Sequence, residues 1–113
     1  MDDLIKKHLQ DIMTAIEEID GFFGGRPKLF EDFCANLCLR RATERNVEII
    51  GEALNRILKT DRNIAVTNSR KIVDARNYII HGYDSLSADI LWSMVVNHLP
   101  KLRDEVTALL ADG

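Results

Sequence analysis

One pattern limits what this chain can become more than any other. Leu4, Ile5, Leu9, Ile12, Met13, Ile16 and Ile19 recur every three or four residues with polar side chains between them, which lays a single apolar stripe along an α-helix. Such a stripe must be buried against something, and the remaining sequence offers further helices to bury it. Helical text runs from about Leu29 to Leu58, with a break within it allowed. Its apolar ends are Phe30, Phe33, Leu37 and Leu39, then Ile49, Ile50, Leu54, Ile57 and Leu58. Ile72, Val73, Ile79 and Ile80 mark another helix. Leu86 and Ser87 form a hydrophobic staple and N-cap for one that turns Ile90, Leu91, Met94 and Val95 inward. Pro100 then kinks the chain or opens a final helix carrying Leu102, Val106, Leu109 and Leu110.

The expected fold is therefore all-α, an antiparallel bundle of about four or five helices. At 113 residues the chain is expected to be a single domain, residues 1–113. An apolar fraction of 46% with only 6% aromatic residues suits helices packed through Leu, Ile and Ala. The stretches without a stripe are read as connections. Asp2 and Asp3 suit the positive end of the first helix and Gly21 its close. Gly21-Phe22-Phe23-Gly24-Gly25-Arg26-Pro27 has turn chemistry, with both phenylalanines tucked under the bundle. It follows no strand and lacks the spacing of a phosphate-binding loop. Residues 59–66 form a polar connector, after which Thr67 or Asn68 can cap the next helix. No run of about 18 uninterrupted apolar residues marks a membrane span and no charged-then-apolar leader marks secretion, so a cytoplasmic protein is expected.

Several chemically capable side chains have plain structural readings. Cys34 and Cys38 lie four apart on helical text, which is neither a zinc nor a redox spacing, and are read as small core or near-core residues. His8 lies in the first helix with nothing nearby to supply a second metal ligand. Trp92, in an amphipathic stretch without an aromatic neighbour in sequence, is read as a core or interface anchor rather than a base-stacking platform.

Charge is unevenly spread. The net charge is −3, yet residues 1–35 carry four basic and eight acidic side chains, residues 36–76 nine and five, and residues 77–113 two and five. The positive middle could serve phosphate recognition, because attraction to a polyanion is governed by charge within about 10 Å. It could equally be a solvated helix face of Arg and Glu pairs. Within it Arg40, Arg41, Glu44, Arg45, Asn46 and Glu48 interrupt the apolar stripe on more than one face. They must face solvent or line a polar cavity, and if the helix around Arg76 packs on this section, Arg41, Glu44 and Arg45 would support whatever that helix presents.

That helix ends in Arg76-Asn77-Tyr78-Ile79-Ile80-His81-Gly82-Tyr83. Gly82 suits a left-handed C-terminal cap, which puts His81 in the last turn. At about 100° per residue Arg76 and Tyr83 share nearly one face, and His81 lies one turn from Asn77. Arg76 and His81 converge only if the guanidinium arm sweeps across or a second subunit completes the site.

The spacing Arg-x4-His-x-Tyr at Arg76, His81 and Tyr83 resembles the signature of HepT-like toxins of the HEPN superfamily. So do Gly51-Glu52-Ala53 upstream, Asn77 after the arginine, and Trp92 with Leu99-Pro100 downstream. The segment Ile64-Ala65-Val66-Thr67 departs from the family pattern, which has Pro and Trp there. The resemblance implies a HEPN-like homodimer and a metal-independent RNA endonuclease needing no cofactor, with Arg76 and His81 catalytic and Asn77 supporting them. It further implies the toxin of a type VII-like HepT–MntA pair, silenced when an MntA-like nucleotidyltransferase antitoxin transfers AMP to Tyr83. The chemistry is sound: an imidazole exchanges protons near neutrality and a guanidinium stabilises charge on a phosphorane. The competing expectation is a non-catalytic helical subunit that binds a nucleotidyltransferase partner.

Overall fold

The computed structural model describes residues 2–80 and 88–112, with side-chain surroundings described only to residue 77 in the first of these stretches. Every regular element among the described residues is helical: α1 (Asp3–Phe22), α2 (Phe30–Ala35), α3 (Leu37–Thr60), α4 (Ser69–Ile80), α5 (Ala88–Ser93), a π-helical turn (Met94–His98) and α6 (Leu99–Asp112). Because α5, the π turn and α6 follow one another without a gap, the described residues form five helical rods. No helix among the described residues is long and apolar enough to cross a membrane.

The stripe that opens the chain becomes α1. Asp2 caps it by accepting hydrogen bonds from Leu4 N at 2.7 Å and Ile5 N at 3.2 Å, and Ile5, Leu9, Ile12, Ile16 and Ile19 are buried. Leu4 is turned to solvent instead. The helix runs one residue past Gly21. The chain turns at Gly24 and Gly25, whose φ values of 60° and 76° lie where a Cβ is costly. Phe23 goes into the core while Phe22 packs at its margin.

The expected helical text from Leu29 to Leu58 divides at Asn36. Asn36 has φ −109° and ψ 96°, so it ends α2, and its side-chain oxygen accepts from Leu39 N at 3.0 Å to start α3. An asparagine able to bond its own downstream backbone favours such a junction over an uninterrupted helix. Leu37 lies on the solvent side of it, as does Cys38, while Cys34 is half-buried. The core-residue reading of the cysteine pair therefore does not hold for Cys38.

The 24-residue α3 is the central rod, flanked most extensively by α1 and α4, with α6 lying on α1. Asn46 is buried on its α1 side and donates to Ala15 O at 3.1 Å and Glu18 Oε1 at 3.0 Å. A buried amide is tolerable because both protons are used, and the two bonds fix how α1 lies on α3.

Thr67, expected as a cap for α4, is used elsewhere. Its backbone N and hydroxyl donate to the Glu105 carboxylate of α6 at 3.0 and 2.9 Å. Asn68, just ahead of α4, takes φ 58°, a conformation asparagine tolerates better than most residues. Leu86 and Ser87, read as a staple and cap, lie outside the described residues.

Trp92 has three aromatic neighbours brought by the fold, Phe23, Phe30 and Phe33, with ring centroids 6.2, 5.8 and 5.3 Å away. The sequence separation of these residues hid the cluster. Leu91, Met94 and Val95 face inward as expected, but Ile90 is 54% exposed. Pro100 both opens α6 and explains the π turn before it. A proline lacks the N–H and crowds the carbonyl four residues earlier, and widening the preceding turn, so that Leu99 N reaches Met94 O, relieves the crowding.

The same turn places half-buried His98 near Lys71 of α4. Burial, and then the Lys71 ammonium, hold its imidazole below the ordinary histidine value. With a depressed folded value the unfolded chain takes up the proton first as pH falls. This contribution to stability is therefore complete above about pH 6.5 and is lost as pH drops through the lowered value. Thermal melts at about pH 7.5 and pH 5 should show a larger acid-induced drop in midpoint for wild type than for His98→Gln. Equal drops would mean that His98 is not the group responsible.

Candidate functional site

The described part of the site is built where α4 crosses α3. Ile72, Val73 and Ala75 are buried in the core, which fixes the roll of α4 and leaves Arg76 and Asn77 half-buried at its edge. At the crossing α3 carries Gly51. A Cβ there would fall inside van der Waals contact with the Cβ of Arg76 and 3.1 Å from both its Cγ and the Ile72 carbonyl oxygen. In the interior of a helix glycine costs about 1 kcal/mol relative to alanine, so this position gives up helix propensity for the close approach.

The Arg76 guanidinium is held from the other side. Its Nη1 donates to Asn77 Oδ1 at 2.9 Å, and its Nε is buried with no acceptor among the described residues. A buried donor without a partner is costly, and here it belongs to a fork suited to a phosphate or carboxylate oxygen. His81 and Tyr83 lie outside the described residues, so of the motif the structure places Arg76 and Asn77.

The middle of α3 separates into two faces. Counting about 100° per residue from Gly51, Arg40 and Glu44 each fall within about 20° of the line facing α4, while Arg41 and Arg45 are turned about 80° and 120° away. The contacts agree. Arg41 pairs with Glu44 at 3.4 Å and Arg45 with Glu48 at 3.1 Å; both arginines are more than 60% exposed, against 14% for Glu44 and 24% for Glu48. Of the three residues expected to support the motif helix, only Glu44 shares the helical phase of Gly51 and is largely buried. Arg41 and Arg45 are solvent-side members of i,i+3 ion pairs.

Sequence reasoning did not single out Arg40 as a site residue. Arg40 is half-buried with its Nε sequestered and, among the described residues, without a hydrogen-bond partner. Its helical phase relative to Gly51 was the available signal. Gly51 was legible only as part of a resemblance, since nothing in a sequence says which residue will lie opposite a glycine. Among the described residues no three His, Cys, Asp or Glu side chains converge as a metal site would require. His8 instead lines a groove of about 360 Å³ between α1 and α3, alongside the Arg56–Glu52 and Lys7–Asp11 ion pairs.

Comparison with known proteins gives a consistent result. A family described as ribonuclease HepT-like matches residues 12–109. The chain is 32% identical over 105 residues to the "Probable ribonuclease HepT" of Thermococcus cleftensis, covering 92% of this chain and 94% of that one. It is 31% identical over 103 residues to a candidate RNase of Caldanaerobacter subterraneus, covering 90% and 87%, and 31% identical over 104 residues to one of Methanocaldococcus jannaschii, covering 90% and 93%. No solved structure matches the chain significantly.

The two faces of α3 differ in what truncation should do. Arg41→Ala and Arg45→Ala each remove an exposed ion pair and should change the unfolding free energy by less than about 0.5 kcal/mol. Arg40→Ala removes a half-buried stem and should cost about 1 kcal/mol. Urea titrations of the three variants check this, and equal costs would contradict the assignment of faces.

Proposed function

The chain belongs to the ribonuclease HepT-like family, and from that premise we propose that it is a metal-independent RNA endonuclease in which Arg76 and His81 are catalytic and Asn77 orients Arg76. The observation that carries this reading is the state of Arg76. The root of its side chain lies against Gly51 and its Nη1 donates to Asn77, yet its buried Nε–H has no acceptor among the described residues. An arginine serving only the fold would be expected to satisfy that proton.

The proposed reaction needs nothing that the chain lacks. The His81 imidazole accepts the proton of a ribose 2′-hydroxyl, the freed oxygen attacks phosphorus, and the bond to the 5′-oxygen breaks as that oxygen takes a proton from an imidazolium, that of His81 or of its copy in the second subunit. A 2′,3′-cyclic phosphate and a 5′-hydroxyl end are left. Arg76 stabilises the charge gathering on the non-bridging oxygens, where a fixed donor is worth most. Two chains together would give a groove flanked by two Arg–His sets, with α4 along it. Glu44 and Arg40 on the facing side of α3 would line its continuation, and the acidic first third of the chain would lie away from RNA.

Regulation follows from Tyr83. Transfer of AMP to its phenol by an MntA-like nucleotidyltransferase would add a phosphate near Arg76, competing with RNA for the same donors. In that arrangement the protein is the toxin and the nucleotidyltransferase the antitoxin.

Arg76→Ala and His81→Ala should each slow RNA cleavage by about a hundredfold or more, the scale of one electrostatic or acid–base contributor, with the helical fold retained. Cleavage of a labelled RNA by the purified wild type should persist in EDTA, and light scattering at tens of micromolar should give twice the 12.9 kDa chain mass. Activity surviving both substitutions, or lost on chelation alone, defeats the mechanism; a monomer defeats the shared groove. If no RNA is cleaved at all, the non-catalytic partner subunit becomes the better reading.

Intact-mass measurement after incubation with ATP and the nucleotidyltransferase should show a gain of one or more AMP units. Tyr83→Phe should lose that gain and remain toxic when the two proteins are expressed together. An unmodified wild type that is nevertheless neutralised would replace modification with inhibition by simple binding.

A further inference from the structure

The atoms that crowd Gly51 are the stiff parts of α4. A Cβ at position 51 would meet the Cβ and Cγ of Arg76 and the Ile72 carbonyl oxygen. A lysine or glutamate tip could swing aside, but a Cβ and a backbone carbonyl move only with the helix that carries them. Buried apolar side chains flank the crossing on both helices. Ile72, Val73 and Ala75 on α4 and Val47, Ile50 and Leu54 on α3 are all buried, so displacement of α4 would have to disturb close-packed core contacts. The alternative, forcing residue 76 off its rotamer, also misdirects the guanidinium.

From this geometry we infer that Gly51 is a positioning residue for Arg76. By presenting no side chain it lets α4 seat against α3 and fixes the root of the arginine, while Asn77 Oδ1 holds the far end at Nη1. The guanidinium, on a flexible stem that would otherwise sample many rotamers, is set before any ligand arrives, and its Nε–H is kept in a buried position. The consequence for Arg76 itself is independent of the proposed reaction. The consequence for catalysis rests on the ribonuclease reading: a misplacement of about 1 Å in a positioned group can cost on the order of a hundredfold in rate.

The control is another helical glycine. Gly21 of α1 has nothing within 4 Å of where a Cβ would lie, so Gly21→Ala tests the same chemical change without the crowding. Because Gly51→Ala is expected to lose stability as well, it is made in both the wild-type and Gly21→Ala backgrounds and studied well below its melting midpoint.

Two measurements are made on each folded variant. The first is side-chain nitrogen–proton NMR of the arginine Nε–H groups, with the Arg76 signal assigned by its disappearance in Arg76→Lys. Wild type and Gly21→Ala should show a slowly exchanging Arg76 Nε–H, unlike that of the exposed Arg56 pair, and Gly51→Ala should shift it or bring its exchange to the exposed rate. The second is RNA cleavage, in which Gly51→Ala should lower kcat by about a hundredfold with KM nearly unchanged, while Gly21→Ala cleaves as wild type does. An unchanged Arg76 signal in folded Gly51→Ala overturns the inference, as does an Arg76 Nε–H that already exchanges rapidly in wild type, a result that stands even if no Gly51→Ala protein folds. If wild type cleaves no RNA but its Arg76 signal still depends on Gly51, the ribonuclease reading falls and the positioning role stands. A loss confined to the melting midpoint, with signal and kcat unchanged, reduces Gly51 to a packing residue.

Discussion

The close approach of α4 to α3 at Gly51 is the constraint on which the rest of this molecule depends. Two helices carrying ordinary side chains lie about 8–10 Å apart, and a residue without a Cβ lets a partner's backbone come nearer. Here the approach gives one short helix a fixed place on a long one. α4 has only 12 residues, a length at which an isolated helix is marginal in water. What orders it is burial of Ile72, Val73 and Ala75 together with that approach. Arg76 is thus held by the core as much as by its own neighbours.

A small set of polar side chains does the orienting that apolar packing leaves open. Apolar surfaces attract without direction, so helices buried through Leu and Ile alone could slide or roll. Asn46 ties α3 to α1 through Ala15 and Glu18. Glu105 ties α6 to the segment before α4 through Thr67, and Asp20 accepts from both Arg103 and Lys28, joining the end of α1 to α6 and to the loop before α2. Each bond specifies a distance and an angle between two rods. The Thr67–Glu105 contact sits closest to the site in consequence, because it anchors the chain two residues ahead of α4.

Much of the architecture was legible along the chain because helical periodicity is a local property. The stripes at Leu4–Ile19 and Ile49–Leu58, the acidic start at Asp2 and Asp3 and the opening of a last helix at Pro100 depend on residues only a few positions apart. Positions were left open or misread where a local pattern has two outcomes. Asn36 can sit inside a helix or break it, and the second prevailed because its side chain caps α3. Ile90 fits either edge of its stripe, and Trp92 seemed solitary until α2 folded back to bring Phe30 and Phe33 against it. Arg41 and Arg45 were drawn toward the site by composition, yet each has a glutamate three residues on and finds its partner on its own helix.

The sequence by itself determined the class of fold, most of the elements that make it, and the family, since the Arg-x4-His-x-Tyr spacing and its flanks are statements about order along the chain. Tertiary structure alone decided that Gly51 faces Arg76, that Arg41 and Arg45 are spent on solvent-side ion pairs along α3, and that Asn46 is a tie between helices rather than a solvent-facing break in the stripe. The physical reason is one of range. Periodicity and capping act over a turn or two of helix, whereas which residues meet across a crossing is fixed by how whole rods settle against one another, and that depends on every side chain in the core at once.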